Sequence, residues 1–137
     1  MYTTPPLVAA GASSPYNDTP APRVFGNVSP FDPQLFYRIN DYADDLLAAK
    51  RSAKYSPIEV AQWIEDYAAA SSKHLVQLER RESGKEQPEY RRLVIDAAIQ
   101  AGLGRFFGAK FRSGVLYRIY EQTGSRKALE ESLKHYR

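Results

Sequence analysis

The chain holds two histidines, His74 and His135, no cysteine, and two places where carboxylates gather: Asp41 with Asp44 and Asp45, and Glu65 with Asp66. A histidine that moves protons needs a nucleophile or an orienting acid within hydrogen-bond reach. His74 has none nearby, and Glu131, one turn before His135, reads as its surface partner. The spacing matches neither the His-Glu-x-x-His zinc helix nor the Glu-x-x-His of di-iron bundles. Absence of cysteine removes disulfides, thiolate chemistry and Cys-ligated zinc together. Two carboxylates can cleave a glycoside when they face each other about 5 to 10 Å apart across a cleft. Asp44 and Asp45, neighbours on a helix, point about 100° apart and read as part of a solvated face. Gly102, Gly104 and Gly108 follow a helical rather than a strand pattern, so they form no phosphate loop. No catalytic, cofactor-binding or metal-ligating residue is therefore assigned, no cofactor is expected, and any activity would reside in a larger parent protein.

Binding is the chemistry that remains. From Lys85 to Arg137 the chain carries 11 basic and 6 acidic residues, a difference of +5. Arg91, Arg92, Arg105, Lys110 and Arg112 are the candidate basic patch, interleaved with Phe106, Phe107, Tyr117 and Tyr120 in a manner that could meet phosphates and stack on bases. The charges are spread around a helix and diluted by Glu86, Glu89, Asp96 and Glu121, which disfavours nucleic acid as partner. Seventeen aromatics (10 Tyr, 6 Phe, 1 Trp) exceed the usual share. Trp63 with Tyr67 and Phe106 with Phe107 are the candidate interface residues. Trp63 and Tyr67 lie one turn apart beside the main apolar stripe of their helix, as a second packing face for a neighbouring domain would.

The elements that must position these residues are helices. At 137 residues, 43% apolar and net charge +3, the chain is the size of one globular domain able to bury a core without staples. Seven of nine prolines fall in the first 33 residues, so residues 1–31 read as an extended Pro/Ser/Thr-rich arm, and residues 32–137 as a helical bundle. Asp32-Pro33 predicts the start of a first helix running to about Lys50. Ser56-Pro57-Ile58-Glu59 predicts a capping box opening the second, ended by Ser83-Gly84. Pro88 opens the third. Its small-residue row Ala97, Ala101, Gly104, Gly108 predicts close approach of another helix, with a break or bend expected near a glycine. Gly124 closes that helix and Ser125 caps a fourth, whose missing stop signal reads as truncation at its C-terminal end. The fold expected is all-α, an antiparallel up-and-down bundle of four helices behind the N-terminal arm.

Three stretches carry a resemblance: Lys54-Tyr55-Ser56-Pro57-Ile58-Glu59-Val60-Ala61-Gln62-Trp63-Ile64-Glu65, Ile95 to Phe107, and Tyr120-Glu121-Gln122-Thr123-Gly124-Ser125 with Ala128-Leu129-Glu130. Residues 55–137 resemble helical regions of large bacterial multidomain proteins of the glycoside-hydrolase type. The resemblance implies a non-catalytic accessory domain packed beside a catalytic barrel, and no catalytic residue carries over onto this chain. The expected partners are other domains of a parent protein or a separate protein, and a homodimer is admitted. No run of residues is apolar enough to span a membrane, no signal peptide is visible, and the compartment stays open. The alternative expectation is an independent helical module binding a protein or nucleic acid through its basic C-terminal half.

Overall fold

The structure, a computed structural model, describes residues 25–27, 29–80 and 87–136. It is all-α: α1 (Ile39–Leu47), α2 (Pro57–Glu79), α3 (Pro88–Thr123) and α4 (Arg126–Tyr136), preceded by a single 3-10 turn at Phe25–Asn27. Among the described residues there is no strand. Most of the expected arm, and the expected stop at Ser83-Gly84, lie outside the described residues. The turn at Phe25–Asn27 packs on α1 and α3, and Asn40 of α1 donates to the Asn27 side chain at 2.8 Å.

The start of α2 follows directly from its sequence. Ser56 Oγ accepts from the Glu59 backbone N–H at 3.1 Å, and Glu59 Oε2 accepts from the Ser56 N–H at 2.8 Å, closing the reciprocal box. Two of the helix's orphan donors are thereby satisfied. Pro57, at the first position, is fully buried.

The first helix is shorter than the Asp32-Pro33 signal implies. Asp32 does cap, accepting at Oδ1 from the N–H of Gln34 and Leu35, but what it caps is one turn. The chain is then drawn out straight because it pairs with the connector before α2. Tyr55 N donates to Leu35 O at 2.9 Å and Tyr37 N to Tyr55 O at 3.1 Å, forming an isolated bridge between Phe36 and Tyr55. Helical geometry resumes only at Ile39. The far end of α1 closes as a Schellman motif, with Lys50 N donating to Asp45 O and Ala49 N to Leu46 O. Ala49 occupies the left-handed position of that motif, at φ 53°, where glycine is the usual residue.

Helix α3 is 36 residues long, about 54 Å, and runs uninterrupted through Gly102, Gly104 and Gly108. The expected break is absent. Gly124 ends it at φ 69°, donating to Tyr120 O, and Ser125 Oγ accepts from Ala128 N at 3.4 Å to open α4. All the other helices pack on α3. The core is Ile39 and Ala43 of α1, Val60 and Ala61 of α2, and Phe111 and Val115 of α3. It sits around the C-terminal half of α3, where α1, α2 and α4 all converge.

The Schellman geometry generates a stability prediction. A left-handed alanine costs about 1 to 2 kcal/mol, and glycine returns part of that through unfolded-state entropy, about 0.4 to 1 kcal/mol. Ala49→Gly is expected to stabilise the fold by about 0.5 to 1 kcal/mol, read as a higher midpoint in urea denaturation with an unchanged slope.

Candidate interaction surface

Helices α2 and α3 run antiparallel and touch along the small-residue row. A Cβ on Gly104 would lie 3.1 Å from Ala68 Cβ and 3.4 Å from the Ile64 carbonyl oxygen, so only hydrogen fits there without displacement. Ala61, Ala68 and Ala101 are buried in the same seam. Gly108 serves the neighbouring Glu65, since a Cβ there would stand 2.7 Å from Glu65 Cγ. Glu65 lies across that gap and meets Arg112 in a two-pronged ion pair, Nε to Oε1 at 2.8 Å and Nη2 to Oε2 at 2.7 Å. Arg112 Nη2 also donates to Gln62 Oε1. These hydrogen bonds hold the Glu65 carboxyl below its ordinary range, and they raise the Arg112 guanidinium further.

The other clustered carboxylates also have partners, and among them Asp44 ties two helices. Arg118 grips both oxygens of Asp44 at 2.9 Å, tying α1 to α3. Asp45 accepts from the Tyr37 hydroxyl at 2.9 Å, and Asp66 accepts from Gln62 Nε2 at 2.9 Å. Asp41 makes a loose contact of 4.0 Å with Arg38. Glu131 pairs with Lys134 at 2.6 Å rather than with His135, and His74 faces Gln77 on an exposed face. Among the described residues, no three His, Cys, Asp or Glu side chains gather in a way that could hold a metal ion. A cleft of about 460 Å³ lies between the end of α1 and the start of α2, lined by Tyr37, Asp45, Lys50, Ser52, Lys54 and Glu59. Of its polar groups, Tyr37 is bonded to Asp45, Lys54 lies over the Tyr37 ring at 5.8 Å, and Glu59 is committed to the α2 cap.

The basic candidates do not form one edge. Arg112 is clamped to Glu65, Arg105 reaches back to Ser72 Oγ at 2.7 Å, and Lys110 lies over the Phe106 ring at 5.5 Å. Arg91 and Arg92 are exposed near the start of α3. The aromatic candidates occupy two helices. On α2, Trp63 packs edge-on against Tyr55 at 4.9 Å and remains 40% exposed, while Tyr67 is 74% exposed. On α3, Phe106 and Phe107 meet edge-on at 5.2 Å, with Phe106 largely exposed and Phe107 half-buried.

Phe106 belongs to a longer feature that the aromatic choice passes over. Ile95, Ile99, Leu103 and Phe106 recur at intervals of four, four and three residues and are 57%, 53%, 44% and 55% exposed. They form one apolar stripe on α3, opposite the Gly104/Gly108 seam. Ile95 and Ser113 are 18 residues apart, about five turns, and so lie on one line along the helix. Ser113 is buried under α4, sharing a 2.9 Å hydroxyl contact with Ser132. One side of α3 is thus covered by α4 in its C-terminal half and open in its N-terminal half. The spacing is visible in the sequence, as a second apolar face on the helix that carries the small-residue row.

No protein-family model matches the chain, and neither curated proteins nor solved structures provide a match. Among the described residues no helix is long and apolar enough to cross a membrane.

The seam separates two glycines of one helix by their surroundings. Gly102 has open space where a Cβ would go, so Gly102→Ala is expected to stabilise by about 0.5 to 1 kcal/mol. Gly108→Ala must push Glu65 off its place and is expected to cost a net of about 1 kcal/mol despite the better helix former. Parallel urea melts of the two variants check the contrast.

The ion pair also sets a pH dependence. Glu65 and Glu59 both titrate below the ordinary value of 4.5 in the folded state, Glu65 through Arg112 and Glu59 through the Ser56 backbone and hydroxyl. Their contributions are fully present above the unfolded value and are lost as pH falls through the lowered folded values. Denaturation midpoints measured from about pH 6 down to pH 3 are expected to decline. In Glu65→Gln the decline is shallower and starts from a lower plateau.

Proposed function

We propose that this chain is a non-catalytic helical packing module, whose work is done by contact and not by bond-making, placed as an accessory domain beside the catalytic part of a larger carbohydrate-active protein. The observation that carries the module reading is the open apolar stripe Ile95, Ile99, Leu103 and Phe106 on a helix whose C-terminal half is wrapped by partners. Single exposed apolar residues are ordinary, whereas four in register on a helix face mark a contact surface. The engagement of Asp44 and Glu65 in holding helices together supports the same reading, because a carboxylate clamped by arginine is a poor proton carrier. The carbohydrate setting rests on the sequence resemblance of residues 55–137. Binding of nucleic acid through Arg91, Arg92, Arg105, Lys110 and Arg112 is the weaker reading, since Arg105 and Arg112 are drawn onto α2.

The test pairs an activity screen with a surface probe. Purified chain incubated with aryl glycosides and soluble polysaccharides is expected to release no sugar above the buffer blank. Its fluorescence enhancement of a hydrophobic dye is expected to fall several-fold in the Ile95→Asp/Leu103→Asp variant. Turnover that persists through repurification and disappears on substitution of a single polar residue would overturn the module reading.

A further inference from the structure

We propose that the cleft between the end of α1 and the start of α2 is a binding site for a phosphorylated sugar, with the phosphate held by Lys50, Arg51 and Lys54 and the hydroxyls by Asp45 and Glu59. The site is built on the connector between those two helices, away from the α3 stripe, and does not rest on the module reading.

Size admits a small molecule. At about 460 Å³ the cleft falls within the roughly 300 to 1,000 Å³ of small-molecule sites. Tyr42, Leu46 and Ile58 supply apolar wall, and the charged side chains come from both helices and the connector.

Charge selects an anion. Lys50, Arg51 and Lys54 set three cations within five residues, and among the described residues none of them pairs with a carboxylate. Elsewhere in the fold Arg112, Arg118 and Lys134 each close on an acid at 2.6 to 2.9 Å. The two acids of the cleft are held by uncharged donors instead. Asp45 Oδ2 accepts from the Tyr37 hydroxyl at 2.9 Å, and Glu59 Oε2 accepts from the Ser56 N–H at 2.8 Å and the Ser56 hydroxyl at 2.7 Å. Three cations against two carboxylates leave the lining at +1. Asp41 and Asp44, outside the lining, are met by Arg38 and Arg118. Cations this close repel one another, and a doubly charged anion relieves all three. A phosphomonoester carries about −1.5 to −2 at neutral pH and presents three acceptor oxygens to one guanidinium fork and two ammonium groups.

The carboxylates select the rest of the ligand. Asp45 and Glu59 each keep one oxygen without a hydrogen bond among the described residues. Such an oxygen accepts from a hydroxyl and repels a bare anion. A polyol bearing one phosphate therefore satisfies both parts of the lining. One cation is already placed, since the Lys54 ammonium lies 5.8 Å over the Tyr37 ring and the Lys54 N–H donates to Ser52 Oγ at 3.3 Å.

The test is an amide-shift NMR titration of the full 137-residue chain at about 0.15 M salt. Glucose-6-phosphate, glucose, inorganic phosphate and adenosine monophosphate are each taken to about 20 mM. Glucose-6-phosphate is expected to saturate, with its largest shifts within residues 42–59, and to bind several-fold more tightly than the other three. Arg51→Gln/Lys54→Gln is expected to weaken it about tenfold with wild-type circular dichroism. Lys50→Gln/Arg51→Gln, which keeps the Lys54–Tyr37 contact, replaces that variant if it fails to fold. Arg126→Gln/Lys127→Gln removes the same charge from α4 and is expected to leave the affinity unchanged.

Absence of saturation would overturn the site, as would an affinity that the connector variants leave intact. Inorganic phosphate or glucose binding as tightly as the sugar phosphate would also overturn it, because only one part of the lining would then be in use. So would tighter binding of adenosine monophosphate, or an equal loss in the α4 variant, which would mark diffuse surface charge.

Discussion

The close approach of α2 to α3 is the constraint on which the remaining structure depends. Two helix backbones come so near that a Cβ on Gly104 would press on Ala68 and the Ile64 carbonyl, an approach that a seam of alanines and glycines allows. The glycines lower helix propensity by roughly 1 kcal/mol each, and the packing they allow offsets that cost with contacts that bulkier residues would hold apart. A seam of small side chains fixes distance but leaves sliding along the axis weakly opposed. The bidentate Glu65–Arg112 pair supplies the missing registration, since its two nearly equal bonds of 2.7 and 2.8 Å are satisfied together at one offset. Gly108 belongs to that same device, because it gives Glu65 the room to lie across the crossing.

From this seam the two halves of α3 acquire different surroundings. The C-terminal half is enclosed: α1 is tied to it by Asp44–Arg118, α4 by the buried Ser113–Ser132 contact, and Phe111 and Val115 point into the core. Burying two serines between α3 and α4 is tolerable because their hydroxyls share a hydrogen bond, and Ser132 donates to the Ser113 carbonyl at 3.0 Å. The N-terminal half has α2 alone. Its end is tied down by Tyr90, whose hydroxyl donates to the Leu78 carbonyl, one of the orphan acceptors at the end of α2. A helix with different partners in different halves cannot keep one polar face, and the apolar residues of α3 accordingly lie all around it.

What the sequence discloses about this fold sorts by distance along the chain. The Ser56–Glu59 box, the Pro88 start and the Gly124 stop are local chemistry, completed within three or four residues, and the structure has them where the sequence puts them. The helix expected from Asp32 begins instead at Ile39, because Tyr55 competes for the same backbone from 18 residues away or more. Glu65–Arg112 and Asp44–Arg118 span 47 and 74 residues, beyond any pattern a single sequence exposes. The seam was legible as a small-residue row. The stripe on the opposite side is legible by the same periodicity, and of the aromatic candidates Trp63, Tyr67, Phe106 and Phe107 it contains Phe106 alone. Trp63 has a local packing role as well, its ring turned edge-on against Tyr55 while 40% of the residue stays exposed.

The open half of α3 also couples stability to contact. A two-helix hairpin held by one seam orders its backbone at about 1 to 2 kcal/mol per residue, with apolar burial on one side of α3 to set against that cost. The enclosed half gains burial on three sides for the same ordering. Local opening therefore favours the N-terminal half of α3 over the Glu65–Arg112 crossing, where the ion pair and the core together resist it. Anything that binds the stripe binds the ordered hairpin and not the frayed one, so it adds to local stability by mass action. The proposed contact surface and the half of α3 with the fewest packing partners are the same residues, so the stripe belongs to the packing of the fold rather than being a patch added to it.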